Sequence, residues 1–490
     1  MKLEFIEEPE LEFGGYGRHV DIRQGLALFG PLDVDTSRVR RIRVGVVGTQ
    51  QTVDGLLRWL DTCKKGVAAK KSSRQPNLFP AFPGFGDESP FKADLEMDPA
   101  LIRVLSGREL RAIAEMSHYG ALVSGVELVA GEVRAIFEAG RPAVVLVALP
   151  HELVGLDEDD EEVEADAERD VYIDNKGLPD EVAFGSDLDF HHMLKAEVMK
   201  FGQPIQIVLP STYDPSAKVR SIKDDGRRQL QDEATRAWNL HTALYYKGNY
   251  RPWRIMRNAA DLKTCFVGIS FYRSLDRANL MTSMAQVYDE RGEGVIVRGK
   301  PVELRKDDPV PHLSADDSFA LLERALREYR VEHKHAPARV VLHKSSTYSV
   351  EELKGLNRAV DEHELEVADF LVVGKVLTRL YRDGQYPPLR GTMLSLDAKN
   401  HLLYTRGSVP YYATYPGLYV PRPLRFHIAQ GQESPRRLAE EVLALTKLNW
   451  NNTQFDGGEP ITMRVAHGVG KVLKYVGEGA TVQPKYSYYM

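Results

Sequence analysis

Hydrophobic and polar positions divide the chain into two differently patterned halves. In the first, Arg41 to Val47 is an apolar-rich run that ends at Gly48 and leads into an amphipathic stretch from about Thr52 to Cys63. That is the pattern of a buried strand turning into a helix. Helical periodicity recurs near 107–117 and 121–139, and Arg141 to Leu149 again reads as a buried strand. A helix at about 188–201, a strand at 204–209 and a helix at about 226–240 continue the series. Strands alternating with helices predict a doubly wound α/β unit over roughly 35–250. Before it, residues 1–40 carry short extended pieces, Leu11 to Gly14 and Gly25 to Pro31, and Phe79 to Phe91 is a loop punctuated by Pro and Gly.

After Trp253 the pattern changes. Thr264 to Tyr272, Leu280 to Asp289 and Gly294 to Arg298 are three apolar runs with short linkers, which predicts an antiparallel meander. A helix at about 315–332, a strand at 339–343, a helix at 350–361 and a strand at 366–374 follow. Three meandering strands, then helix, strand, helix, strand, is the element order of an RNase H-like fold. Hairpins over 376–428 and helices at 433–446 and 461–475 close the chain, and no internal repeat is present. The expected fold class is α/β: an extended segment over 1–35, a Rossmann-like domain over 36–255 and an RNase H-like domain over 256–490.

Composition narrows the class. At roughly 100–200 residues per domain, 490 residues make about three units, and 43% apolar residues is ordinary for a globular chain. No apolar run reaches the ~18 residues of a membrane span, and Met1 to Glu10 is acidic without a signal core. The two cysteines, Cys63 and Cys265, make neither a zinc site nor a disulfide framework. A cytoplasmic protein with no membrane partner is expected. The net charge of −6 discourages a nucleic-acid reading until its distribution is considered: Asp157 to Asp170 holds ten acids and one base. That insert carries −9, so the rest of the chain carries +3. The insert (156–170) reads as a solvated excursion, or as a shield over a basic groove.

Candidate chemistry is sparse. The string Gly45-Val46-Val47-Gly48-Thr49 is not G-x-G-x-x-G; it reads as a strand-to-helix turn, with a mononucleotide site as the lesser alternative. His191 and Lys195 share a helix face by their spacing of four, Gln206 lies in the following strand, and Lys247 follows the next helix. A terminal phosphate needs cationic donors from separate elements and neutral donors for its remaining lone pairs. Lys195 and Lys247 suit the charge, Gln206 a hydrogen bond, and His191 either a donor or a surface under a base. Taken singly, each has an ordinary structural explanation. Lys218, Arg220, Lys223, Arg227 and Arg228 lie between Gln206 and Lys247 and suit backbone phosphates. Lys64, Lys65, Lys70, Lys71 and Arg74 form a second basic stretch, read as a solvated loop or a backbone track. The adjacent pair His191–His192 points apart on a helix and is not a metal pair.

The combination His191-x3-Lys195, Gln206, and Tyr245-Tyr246-Lys247-Gly248 running to Arg251-Pro252-Trp253 resembles the MID domain of prokaryotic Argonautes. The stretch from Glu8-Pro9-x-Leu11-x-Phe13-Gly14 to Gly30-Pro31 resembles the piece before MID in that family. Leu445-Thr446-x-Leu448-Asn449-Trp450-Asn451-Asn452-Thr453-Gln454 and Pro460-Ile461-Thr462 to Ala466 resemble the approach to the last PIWI helix and its start. The length leaves no room for the amino-terminal and PAZ domains, so the chain resembles the short prokaryotic Argonautes, MID and PIWI only. The resemblance implies that His191, Lys195, Gln206 and Lys247 grip the 5′ phosphate and first base of a guide.

It also poses the question of cleavage. Two-metal phosphodiester cleavage needs carboxylates on adjacent strands. Where active Argonautes carry Gly-Ile-Asp, this chain reads Gly268-Ile269-Ser270; at the end of the fourth strand it reads His343-Lys344-Ser345-Ser346; His467 matches the last ligand position. Serine hydroxyls are weak ligands for hard cations. The expectation is therefore no enzymatic activity in this chain, degenerate positions at Ser270, Ser345 and His467, and His467 a relic packed against the fold. No cofactor is expected for catalysis, with Mg²⁺ at the guide 5′ phosphate as the one candidate ion.

The resemblance implies a guide RNA, a single-stranded DNA target, and a heterodimer with an APAZ-bearing effector: a TIR domain, a sirtuin-like domain or a nuclease. The implied role is prokaryotic immunity. The rival readings are an active RNase H-like nuclease with a displaced metal site and a mononucleotide-binding α/β protein.

Overall fold

The computed structural model describes residues 1–71, 75–156, 188–214, 216–217, 231–256, 261–276, 279–287, 294–302, 310–384, 386–417, 420–455, 457–477, 480 and 482–490. The chain opens with strands β1 (Lys2–Phe5), β2 (Leu11–Glu12) and β3 (Arg18–His19) and helix α1 (Ile22–Phe29). The Rossmann-like unit then runs β4 (Arg40–Gly48), α2 (Gln50–Lys65), β5 (Ala93–Val104), α3 (Gly107–Ala114), α4 (His118–Gly140), β6 (Val144–Ala148), α5 (Phe190–Met199), β7 (Ile205–Val208), α6 (Pro210–Tyr213) and α7 (Glu233–Lys247). Its four strands are all parallel, in the order β5-β4-β6-β7. Burial on both faces explains the unbroken apolar run of Val144 to Ala148, every residue of which is buried. α2 starts where Thr49 accepts the Thr52 amide in a reciprocal capping box.

The second unit runs β8 (Arg254–Ile255), β9 (Thr264–Arg273), β10 (Leu280–Val287), β11 (Gly294–Val302), α8 (Ala315–His333), β12 (Arg339–Lys344), α9 (Val350–Glu362), β13 (Val367–Lys375), β14 (Thr392–Ser395), β15 (Asn400–Leu403), β16 (Leu424–Gln430), α10 (Pro435–Leu445) and α11 (Ile461–Leu473). One mixed sheet orders its strands β1-β14-β15-β16-β13-β12-β9-β10-β11. β9, β10 and β11 are antiparallel neighbours, whereas β9, β12 and β13 are parallel. This is the RNase H-like arrangement. α8 and α9 cover one face around Leu322, Leu326, Leu356 and Phe370. α11 lies on the other face so closely that a Cβ on Gly268 would stand 2.0 Å from Thr462 O.

Residues 1–35 tie the two units together. β1 adds to the edge of the large sheet, and β2 pairs with both β3 and β8. Glu8 is buried between Arg390 Nε at 2.8 Å and Lys447 Nζ at 3.1 Å. Lys447 also donates to Pro9 O and Val20 O, both at 2.6 Å.

Three elements differ from the sequence expectation. Gly25 to Pro31 is not extended; most of it is the end of α1, which Asp21 starts by accepting the Gln24 amide and Gly30 stops at φ +70°. α7 does not end at 240 but runs through Lys247. Lys247 therefore sits in the last helical turn and not after the helix. β5 had no counterpart in the hydrophobic pattern, because this edge strand intersperses acidic residues and a Pro at 99 among its apolar ones and so lacks an apolar run. The acidic insert over 157–170 lies outside the described residues.

Candidate functional site

α5 begins at Asp189, whose carboxylate accepts the His192 amide at 2.8 Å and stands 2.7 Å from His192 Nδ1. Eight of its ten residues are buried, so its two polar residues four apart, His191 and Lys195, are held inside the protein. Lys195 is 2% exposed and Lys247 is 4% exposed. Lys195 Nζ donates to Tyr489 O at 3.1 Å, and Lys247 Nζ donates to Met490 O at 3.0 Å. Lys247 Nζ also donates to Ile205 O and Gln206 Oε1, both at 2.7 Å. The two ammonium groups thus meet at consecutive residues of one buried segment, with the Gln206 amide beside them. Burial, followed by the positive charge of Lys195, holds His191 well below the ordinary imidazole range; His192 and Lys247 push the same way, against Asp189. The four residues from α5, β7 and α7 converge, and at neutral pH His191 is an uncharged member of a cationic cluster whose two lysines donate to the main-chain oxygens of Tyr489 and Met490.

The neighbouring residues of the Tyr245–Trp253 stretch have separate tasks. Tyr245 is buried and its hydroxyl donates to Asp33 Oδ1 at 2.8 Å, while the Arg251 amide donates to Asp33 Oδ2 at 3.2 Å. Tyr246 stacks on Trp450 at 4.7 Å and 7°, and Trp253 Nε1 donates to Lys447 O at 3.0 Å. The segment 445–454 is thereby docked against the end of α7. Sequence reasoning missed Tyr489 and Met490. An aromatic-rich stretch far from α5 and α7 carries no local signal that its main-chain oxygens reach two lysines.

At the carboxyl ends of the parallel strands the chemistry is different. Ser270 on β9 is 2% exposed and stands opposite Ser283 on β10. Ser345 follows β12, is exposed, and donates its amide to Ile269 O at 3.2 Å. By the pairing of Lys344 with Ile269, Ser345 is the neighbour of Ser270 across parallel strands. Ser283 Oγ donates to Ala466 O at 2.7 Å, which brings His467 to the same level from α11. The three positions therefore gather at one end of the sheet. His467 is not packed in the core, however. Its side chain is 41% exposed and its Nδ1 lies 3.2 Å from Glu459 Oε2, a carboxylate that Lys375 approaches at 3.9 Å. Burial pushes Glu459 up, but His467, Lys375 and Arg464 outweigh it and hold the group below the usual carboxylate range. Lys344 faces away from this site: its Nζ donates to buried Glu352, which also caps α9. Two hydroxyls and one imidazole engaged with a carboxylate do not fit a metal pair. Among the described residues, no group of three or more His, Cys, Asp or Glu could hold a metal ion.

Of the remaining candidates, Lys71 is exposed, three have local partners and the others cannot be placed. Lys64 pairs with Asp94 at 2.9 Å, Lys65 with Asp61 at 3.7 Å, and Lys70 lies 5.2 Å over the Phe79 ring. Arg74, Lys218, Arg220, Lys223, Arg227 and Arg228 lie outside the described residues. A cleft of about 320 Å³ at the carboxyl ends of β4 and β5 is lined by Thr49, Gln50, Gln51, Val104, Leu105, Gly107, His151 and Glu152, with no Lys or Arg. The Gly48 turn therefore offers a phosphate far less positive charge than the pocket of Lys195 and Lys247. No described helix is long and apolar enough to cross a membrane.

No protein-family model and no curated protein matches this sequence. Solved structures do. The chain is similar to a Clostridium butyricum Argonaute, determined with a guide DNA (5′ deoxycytidine) and a 19-mer target DNA: TM-score 0.62, 15% identity, 98% of this chain and 54% of that one. It is similar to Drosophila Piwi with a TM-score of 0.57 and 13% identity over 99% of this chain and 56% of that one. The chain spans about half the length of the solved structures it matches. At these identities the likeness establishes the architecture, and the chain has an Argonaute-like fold in which a Rossmann-like unit and an RNase H-like unit correspond to MID and PIWI.

Proposed function

We propose that this chain is a guide-binding, non-cleaving module of the short Argonaute kind. The observation that carries the reading is the convergence of buried Lys195, Lys247 and His191 with half-buried Gln206. Two ammonium groups drawn from separate helices match the charge of a terminal phosphate, and Gln206 supplies a neutral hydrogen bond. His191, kept neutral, donates one hydrogen bond without adding a third charge, or offers its ring to the first base. The guide is taken to be a small RNA, paired with a single-stranded DNA target. Protein contacts hold the end and backbone while base pairing reads sequence. Gln206 Oε1 and the Met490 main-chain oxygen, which accept from Lys247 Nζ, are the hard donors that would have to turn to a Mg²⁺ ion at the 5′ phosphate, where it would neutralise phosphate charge.

The proposal includes no cleavage by this chain, because Ser270 and Ser345 offer hydroxyls where a metal pair needs carboxylates. Activity would then belong to an APAZ-bearing effector, in a heterodimer of prokaryotic immunity that a matched target switches on. Co-expression with the neighbouring gene product and purification through one tag checks that partner. Guide loading is tested by titrating 5′-phosphorylated and 5′-hydroxyl guides, RNA and DNA, into the parent chain and into Lys195→Ala/Lys247→Ala. The parent should prefer the phosphorylated end and the variant should not. Equal preference in both would move the pocket elsewhere.

A further inference from the structure

The two edges of the nine-stranded sheet are finished differently. At β11, Val295 bridges Lys485, and the Ile296 amide donates to Pro484 O at 2.8 Å, so the edge is covered by the chain itself. At the other end β1 is the outermost strand. Its apolar residues are turned the wrong way for a core strand: Met1 is 95% exposed, Leu3 65% and Phe5 42%. Leu394, directly opposite Leu3, is only partly buried, and the adjoining Leu396 is exposed. Glu4, by contrast, lies opposite buried Met393. Glu4 thus borders the core while Lys2 is exposed at the rim of the same face, and the apolar face of β1 looks outward beside an open edge.

The main chain follows the same alternation. The Ile6 amide donates inward to Gly391 O at 2.9 Å, so Leu3 and Phe5, an odd number of positions away, present their amides and carbonyls outward, the Phe5 carbonyl accepting from Arg436 Nη1 at 3.4 Å. Sheet edges of this kind are ordinarily blunted by charge, because like charges repel an incoming copy. Here the charges are Lys2 and Glu4, two apart on one face, 2.9 Å from each other. Placed antiparallel against itself about a two-fold axis through Leu3, the strand sets Lys2 against Glu4 twice. It also sets Leu3 against Leu3 and Phe5 against Met1. Every charge meets its opposite and every apolar residue meets an apolar one. The Leu3 pair, with outward amide and carbonyl on both sides, is a hydrogen-bonded pair at the axis.

We propose that β1 is a self-association edge that takes a second copy of this chain, in antiparallel register with Leu3 on the two-fold axis. The two nine-stranded sheets become continuous. Such a C₂ contact is self-complementary by construction. A strand this short buries less than the ~1,200 Å² of a standard stable interface, so association is weak and concentration-dependent.

Sedimentation velocity over a concentration series reads the dimer directly. Lys2→Glu turns both charge pairs repulsive and should weaken the dimer about tenfold. The swapped variant Lys2→Glu/Glu4→Lys restores the complement and should return to the parent value. Register is read by cross-linking. Cα atoms of a hydrogen-bonded antiparallel pair are about 5.5 Å apart, within disulfide range, so Leu3→Cys should give a covalent dimer on mild oxidation. Phe5→Cys, opposite Met1, should give much less. The native Cys63 and Cys265 are buried and leave the assay clean. Lys2, Leu3 and Phe5 are exposed and Glu4 is half-buried, and an unchanged melting curve verifies that each variant keeps the fold. A chain that stays monomeric at every concentration, or a dimer indifferent to Lys2→Glu, overturns the proposal. So does protection of the Leu3 and Phe5 amides by a different polypeptide while the purified chain remains monomeric.

Discussion

The pocket at the ends of α5 and α7 and the strand ends of β9 and β12 are both polar sites inside apolar surroundings, and they treat charge in opposite ways. The pocket buries two lysines at 2% and 4% exposure and brings them to main-chain oxygens and an amide. The strand ends offer Ser270, Ser345 and a His467–Glu459 pair, with the nearest buried lysine, Lys344, turned to the opposite face and matched to Glu352. Burying a cation is costly and is tolerated where oxygens converge on it. Two such cations side by side make a receptor for an anion. Neutral hydroxyls cost little to bury and hold little. One region concentrates buried positive charge; the other offers neutral hydroxyls and an imidazole–carboxylate pair.

The largest expected effect follows from removing that charge. Charge-assisted hydrogen bonds contribute roughly 1.5–3 kcal/mol each, so Lys195→Ala/Lys247→Ala should cost about 3–6 kcal/mol of binding for a 5′-phosphorylated guide. A 5′-hydroxyl guide should lose far less. Filter binding with both guides gives the difference, and a uniform loss for both would mean that the lysines serve folding alone.

The strand ends invite the converse substitution. Ser270 is buried, so Ser270→Asp installs a carboxylate with no cation placed for it and should destabilise the chain by about 3 kcal/mol or more at neutral pH. Ser345 is exposed, and Ser345→Asp should stay within about 0.5 kcal/mol. Thermal melts of the two single variants test the contrast. Recovery of Ser270→Asp by Mg²⁺ would mean that the site still assembles a metal, against the reading given above.

How much of this was legible in the sequence depended on range. The pocket residues on α5, β7 and α7 carry their spacing in the chain, and β9, β12 and β13 announce themselves as apolar runs. β5 was invisible, because this edge strand breaks its apolar residues with Asp94, Glu96 and Asp98 and tolerates Pro99. α7 was ended at 240, seven residues or about two helical turns short of Lys247. Tyr489, Met490 and Glu459 were missed for a deeper reason. Their contacts join residues hundreds of positions apart or across a loop, and no local pattern encodes a main-chain oxygen as a partner.

Acid should probe the two regions together. Burial holds His343 at about 3, with Arg339 adding to it, and holds His241 at about 4 despite the Ala237 carbonyl. His191 is lowered in the same direction. Each binds a proton more readily unfolded than folded, so the stability they allow is fully present above about pH 6.5 and is lost as the pH falls. At pH 5 each of His343 and His241 should account for about 2 kcal/mol. His343 lies at the strand ends, hydrogen-bonded to Thr462 Oγ1 at 2.7 Å, whereas His191 faces the lysines. A bound phosphate would relieve the penalty at His191 and leave His343 unchanged. Melting temperatures from pH 7 to 5, with and without phosphorylated guide, should therefore diverge as the pH falls. Parallel curves would detach His191 from the phosphate site.

A small effect is also expected at His467. Its imidazole is 41% exposed, and Glu459 keeps Lys375 and Arg464 close by when the ring is removed. An exposed pair contributes about 1 kcal/mol or less, so His467→Ala should shift the melting temperature by only a few degrees and leave guide affinity unchanged. The variant is informative because of what it tests against. If the strand ends held a working metal site, His467 would be a ligand, and its loss would abolish a product rather than trim stability. Guide-loaded parent chain with matched single-stranded target and Mg²⁺ or Mn²⁺ should give no discrete cut, with and without His467. A single cut made by the parent and absent in His467→Ala would restore the nuclease reading, and would require carboxylates from segments other than β9 and β12.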